Sequence, residues 1–205
     1  MTTTIIPPQN FEIVRDRIAS ILASECINQS TLLNAFSPHS GDYLKSINVR
    51  VESNSPIDKI EIPVINVSVI DGNFSDKHQG KRNHLVNYAI DIYTSAKTTI
   101  ENGGDKIATF RLQKLIGFCF YVLDDPIYKT LNFPIGVVGR TYVSGFQIRP
   151  ISASESGSHA MGRLTFNVLM VEENILLSSP LVTNSKTTMI IDNVSQGYFI
   201  ENQII

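Results

Sequence analysis

The sequence predicts an α+β domain: a mostly antiparallel sheet with two main helices on one face, followed by a C-terminal extension. Three observations predict it. Two stretches carry apolar residues at three- and four-residue steps, which gives a helix one buried stripe. Four others alternate apolar with polar side chains, which gives a strand one dry face. The order is helix, strands, helix, strands, and not the regular β-α-β-α alternation of a nucleotide-binding sheet.

Residues 1–8 read as a short arm. A first helix starts near Pro8 to Asn10, where proline is tolerated and Asn10 can cap, and runs to about Ser24. Its stripe is Phe11, Val14, Ile18, Ile21 and Leu22. Residues 27–45 contain Ser37-Pro38 and Ser40-Gly41 and read as a loop with one helical turn around Thr31 to Ala35. A short strand is expected at Ile47 to Val51, then a turn at Ser53 to Pro56. In Ile62 to Ile70, Ile65, Val67 and Val69 alternate with Asn66 and Ser68. The polar run Asp71 to Asn83 is too long for a tight hairpin and reads as an exposed loop. From His84 to Thr94, Val86, Tyr88, Ile90 and Ile92 make a dry face, and Asn87, Ala89 and Asp91 a wet one.

After Gly103-Gly104, Asp105 is placed to cap a long helix reaching about Leu123. Its stripe is Ala108, Leu112, Leu115, Ile116, Cys119, Val122 and Leu123. The second half, Ile116 to Leu123, is apolar nearly all round and calls for burial on two sides, against its own sheet and against something else. Two long strands follow. Val137 to Ile151 places Phe146 and Ile148 between Gln147 and Arg149, with Gly139 and Gly145 easing a bend. Gly162 to Glu172 sets Leu164, Phe166, Val168 and Met170 against Arg163, Thr165 and Asn167, and Ser152 to Ser158 is the connecting loop. Residues 173–205 form the extension. Thr187 to Asp192 and Tyr198 to Glu201 can pair as a hairpin, folded on its own domain or docked on a neighbouring subunit; its apolar residues Ile190, Ile191, Tyr198 and Phe199 are candidate contact residues.

Composition narrows the function classes. A formal net charge of −2 gives no overall basic field for wrapping nucleic acid, which leaves Lys77, Lys81 and Arg82 as one local positive cluster for DNA or an acidic partner. Cys26 and Cys119 lie far apart in apolar stretches and read as buried free thiols in a reducing compartment. No positive stretch precedes Pro7-Pro8, so no signal peptide is expected, and no apolar run approaches the roughly 20 residues that span a bilayer. His39, His78, His84 and His159 sit in no zinc-type spacing, Ser158-His159 point to opposite faces of a strand, and no phosphate-binding glycine motif occurs. The pairs Asp124-Asp125 and Glu172-Glu173 sit at element ends and read as solvated termini. The residues therefore point to a structural protein, not an enzyme, with no cofactor and no metal.

The succession FEIVRDRIASILAS, IPVINVSVI, KRNHL, VNYAIDIYTSA, GDKIATFRLQKLIGFCFYVL, VSGFQIRPI and GRLTFNVLM resembles the tail terminator, or neck and tail-completion, proteins of tailed bacteriophages. The resemblance is one of element order and local character over residues 9–172, and residues 173–205 lie outside it. It implies a virion subunit made in the host cytoplasm and assembled as a hexameric ring. Such a ring caps the head-proximal end of the tail tube, ends tube growth and joins the tail to the head connector. It implies contact with the tail-tube protein, with connector proteins and, in contractile tails, with the sheath; DNA passes through the lumen without specific binding. Two alternatives stay open: another neck, head-completion or tail-tube-like virion protein, and a small metal-dependent hydrolase using His78, His84 or His159.

Overall fold

The computed structural model describes residues 10–52, 62–74, 81–99, 101–134, 136–154, 157–173, 185–190 and 199–204. Two compact units make up the chain: Pro7–Glu173, and a smaller one that includes Asn174–Ile205. The larger unit is the expected α+β domain. Its elements are α1 (Asn10–Phe36), α2 (Asp42–Lys45), β1 (Asn48–Val51), β2 (Val64–Phe74), β3 (Lys81–Ala96), α3 (Gly104–Asp124), a 3-10 turn at Pro126–Tyr128, β4 (Val138–Ser154) and β5 (Gly157–Glu173). The five strands lie in the order β1-β2-β3-β5-β4; β1 runs parallel to β2, and every other pairing in this sheet is antiparallel.

Helix α1 is longer than the sequence suggests, and residues 27–36 belong to it and not to a loop. Val14, Ile18, Leu22, Cys26 and Ser30 recur every fourth residue and are all buried. The stripe therefore continues past Ser24, but its last member is a serine, which hides the pattern. No glycine or proline intervenes before Pro38. The chain then turns back on itself so closely that Gly41 packs against the backbone of Ser30. Asn34 holds the corner: its Oδ1 accepts from Gly41 N at 2.7 Å, and its Nδ2 donates to Asp42 Oδ1 at 2.9 Å.

Helix α3 buries all seven residues of its predicted stripe. Its N-cap is Gly103 rather than Asp105, which lies in the first turn; Thr98 Oγ1 accepts from Gly104 N at 3.2 Å. The α3 axis runs close to the sheet because Gly162 has no side chain. A Cβ there would come within 2.8 Å of Ile116 Cδ1 and 3.2 Å of Leu112 Cδ1. Both long helices pack on the same face, α1 over β1 and β2, and α3 over β3, β5 and β4. Tyr88, buried on that face, donates its hydroxyl to Phe11 O at 2.9 Å and ties β3 to the start of α1. Both cysteines are free and buried in this core. Burial pushes the Cys26 thiol up to about 12, with Glu25 adding to it, and raises Cys119 further, so neither is a thiolate at neutral pH.

The strands outrun their predicted ends. β2 continues to Phe74 and β3 begins at Lys81, with Phe74 opposite His84, so the expected 71–83 loop shrinks to residues 75–80, outside the described ones. Likewise β4 and β5 pair up to Ser154 and Gly157, so most of the expected serine-rich loop belongs to strands, and only residues 155 and 156, outside the described ones, lie between them. Polar residues hid both extensions, because these strand ends reach past the core and have no apolar face to show. Strand β4 is irregular: its register shifts at Val138/Arg140, Val143/Gly145 and Arg149/Ser152. Two of these shifts are at the glycines expected to ease a bend. The wet face of β3 is drier than expected, since Ala89 and Asp91 are buried. Asp91 accepts two bonds from Arg163, at 2.7 and 2.8 Å, and the neighbouring carboxylate raises the guanidinium's pKa.

One polar tether joins distant parts of the domain. The Tyr128 hydroxyl donates to Glu25 Oε1 at 2.7 Å, linking the 3-10 turn to the middle of α1. Burial raises the Glu25 pKa, but the bonds from Tyr128, Asn28 and Gln29 outweigh it and leave the carboxyl below its ordinary 4.5. The same contact pushes Tyr128 up to about 12. Glu25 thus contributes stability that is complete above pH 4.5 and fades as pH falls through its lowered value; Tyr128 contributes stability that is complete below pH 10 and fades as pH rises through about 12. We expect Tyr128→Phe to cost about 1 kcal/mol at pH 7. Urea titrations across pH should show that the variant's deficit shrinks toward pH 3; a deficit independent of pH would dismiss the tether.

In the smaller unit, β6 (Ser185–Ile190) and β7 (Phe199–Ile204) form the expected antiparallel hairpin, with Ile190 opposite Phe199. Among the described residues, no helix is long and apolar enough to cross a membrane.

Candidate functional site

A wide concave surface on the described residues follows from a mismatch between α3 and the strand beneath it. β4 has 17 residues and is one of the two edge strands of the sheet. Its dry face extends beyond the cover that α3 provides, so Phe146 and Ile148 are 61 and 42 % exposed. On the helix side, the all-round apolar half of α3 presents Phe120, 49 % exposed, next to its buried stripe. Between the two lies an open groove of about 670 Å³, lined by Ile116, Gly117, Phe120, Val143, Gly145, Phe146, Ile148 and Leu164 with Gln113 and Ser144 at its polar margin. Gly117 and Gly145 shape it: a Cβ at either position would meet nothing within 4 Å, so their lack of a side chain opens space and relieves no clash. A lining this apolar, with only an amide and a hydroxyl among its side-chain polar groups, suits the side chains of another protein.

A second exposed apolar pair lies at the other end of the sheet. Leu32 and Phe36, one turn apart on α1, are 61 and 91 % exposed. Helix α1 lies over β1 and β2, whereas the groove belongs to β4, so the two patches are distinct surfaces on opposite flanks.

A smaller cleft of about 220 Å³ lies among Tyr43, Pro63, Thr94, Arg111 and Leu115. Its polar groups are engaged in holding the fold. Thr94 Oγ1 donates to Ala108 O at 2.9 Å, Arg111 Nη1 to Ser95 O at 2.9 Å, and Ser46 Oγ to Tyr43 O at 3.2 Å.

The residues singled out from sequence fall elsewhere. Lys77, Ile191 and Tyr198 lie outside the described residues. Lys81 and Arg82 open β3 at register positions opposite Glu173 and Glu172, so two members of the basic cluster stand across from acidic residues. Ile190 and Phe199 are partners in the hairpin. His78 lies outside the described residues, and the three described histidines are scattered. His39 is exposed and 2.8 Å from Asp42; His84 and His159 sit near opposite ends of the β3–β5 ladder. Asp125 caps the 3-10 turn by accepting from Ile127 N, and Asp124 pairs with Lys129 at 2.8 Å. Among the described residues no three His, Cys, Asp or Glu side chains gather in one place. The groove was half visible in sequence, as the demand of α3 for a second partner. Phe146 and Ile148 were visible only as alternating residues of a strand, because strand order alone reveals that β4 is an edge that the helix does not fully cover. Comparison with protein families and with curated proteins finds no match to this chain.

Proposed function

We propose that the chain is a structural, ring-forming virion subunit of the tail-terminator kind, which caps the head-proximal end of a phage tail tube and joins it to the head connector. The observation that carries this reading is the apolar groove between α3 and β4, left uncovered by the domain's own side chains. A groove on one flank and a protruding apolar patch on the other are what head-to-tail contacts between identical copies need, and such contacts close into a ring when the rotation permits. The part of the reading that names a phage tail rests on the resemblance of residues 9–172.

The test is the state of the purified chain. Sedimentation and electron microscopy should find closed rings, six-membered as the resemblance implies. Long tubes would favour a tail-tube-like protein, and a monomer that stays monomeric at high concentration would end the reading. Gly117→Leu separates assembly from folding. It removes a glycine from a helix interior, which should stabilise the fold by about 0.5–1 kcal/mol, while its side chain fills the groove. Phe120→Asp should cost the monomer about 1–2 kcal/mol, short of unfolding it, and weaken each interface by at least about 2 kcal/mol. Intact rings in both variants would remove the groove from the interface.

A further inference from the structure

We infer that Asn102 is a self-modifying site: the peptide nitrogen of Gly103 attacks the Asn102 side-chain amide, and the asparagine ages into aspartate and isoaspartate. The reaction needs an unhindered residue on the C-terminal side, and Asn102 is the one asparagine in the 205-residue sequence that glycine follows. It also needs both reacting groups at liberty. Asn102 lies in the turn between β3 and α3, half-buried, with Glu101 and Gly103 exposed on either side of it. Among the described residues nothing hydrogen-bonds to the Asn102 side-chain amide or to Gly103 N. The amides before and after that nitrogen are held. Asn102 N donates to Thr99 Oγ1 at 3.2 Å, and Gly104 N donates to Thr98 Oγ1 at 3.2 Å. The turn fixes its ends and leaves the reacting amide between them unengaged.

Thr99 also activates that amide. The Asn102 carbonyl oxygen accepts from Thr99 N at 2.9 Å and from Thr99 Oγ1 at 3.3 Å. Two donors on the oxygen of a peptide group draw electron density from its nitrogen, so the Gly103 N–H gives up its proton more easily. Attack is intramolecular, which spares the cost of bringing two partners together. The bond from Gly103 N to Asn102 Cγ forms, the bond from Cγ to Nδ2 breaks, and ammonia leaves with the proton lost from Gly103 N. Water then opens the succinimide, and no electrons change hands. Cleavage of the ring bond to Cγ gives aspartate. Cleavage of the bond to the old main-chain carbonyl gives isoaspartate, in which the main chain runs through Cγ and is longer by a carbon. The group that Thr99 holds is then a carboxylate off the main chain, so the clasp no longer sets where α3 begins. Aspartate keeps the chain intact and puts its charge just before a helix N-terminus, where it is tolerated. This chemistry is independent of assembly and does not involve the groove.

Mass spectrometry of the tryptic peptide Thr98 to Lys106, taken from full chain aged at pH 7 and at pH 9, tests it. The peptide should gain the mass that replacing NH2 by OH adds, and gain it faster at pH 9, because the attacking nitrogen must lose its proton. The gain should outpace that at Asn54 and Asn184, each of which serine follows. An isoaspartate methyltransferase should label the same peptide. Gly103→Ala should lose most of the gain. Its Cβ would lie 2.5 Å from Asp105 Oδ1, the movable end of a side chain, so the variant should still fold. Ageing in guanidinium chloride separates the sequence from the fold: the native chain should react at a rate comparable to the unfolded one. Asn102→Asp should melt like fresh protein, and the isoaspartate-enriched chain should melt lower. A native chain that keeps Asn102 while the unfolded chain loses it, or an equal gain in Gly103→Ala, would each overturn the inference. Unchanged melting of the isoaspartate form would overturn the effect assigned to the Thr99 clasp. Ring formation is read on fresh protein, so its failure leaves this inference standing, and the reverse holds too.

Discussion

Leu112→Asp will not populate the native state at neutral pH. Leu112 is fully buried between α3 and the sheet, beside Gly162. Truncating a buried leucine costs about 2–5 kcal/mol through lost burial and the cavity left behind. A carboxyl group in that cavity adds several more, either as an unpaired charge or as the work of keeping it protonated. The total rivals the roughly 5–15 kcal/mol that holds a whole domain together. The effect has a sign in pH. Burial raises the new carboxyl's pKa in the folded state, so the added penalty is smallest below about pH 4, where the group is protonated folded or unfolded, and grows as pH rises. Circular dichroism against urea at pH 4 and pH 7 reads both parts. A wild-type midpoint at pH 7 would mean that α3 does not lie where it is described.

Gly41→Ala should cost about 3 kcal/mol, the upper end for over-packing, because the neighbour is backbone and cannot rotate away. An added Cβ would overlap the Ser30 carbonyl oxygen and approach Ser30 Cα to 2.8 Å. The backbone at Gly41 is ordinary, with φ −97, so the penalty comes from proximity and not from conformation. To make room, α1 and α2 must separate, which would break the bond between Gly41 N and Asn34 Oδ1. Gly117→Ala is the matched control: the same atom is added to open space in a helix, and stability should rise by about 0.5–1 kcal/mol. Urea midpoints of the two variants should move in opposite directions. Equal shifts would refute the close approach of α1 and α2.

How legible was all this in the chain? Periodicity sufficed wherever one face met the core and the other met water. The α3 stripe and the alternation in β2, β3 and β5 are of that kind, and they define the fold class. It failed where polar residues occupy buried or paired positions. Ser30 concealed the last two turns of α1, and Asp71 to Phe74 and Ser152 to Ser154 concealed strand ends, because backbone pairing asks little of side chains at the rim of a sheet. Strand order was invisible, since nothing local states that β5 inserts between β3 and β4 or that β1 runs parallel to β2. The surface that carries the functional argument depends on that order. The groove exists because β4 is an edge.

The three register shifts along β4 bear on how copies can meet. A long, flat outer strand would invite the same strand of another molecule to add by main-chain hydrogen bonds, and then another, in the manner of amyloid growth. Each bulge twists β4 and leaves a residue out of step, and Pro150, beside the third, has no N–H to offer. Recognition between molecules must then come from fitted side chains, which count their neighbours and stop, and not from a ladder that could lengthen without limit.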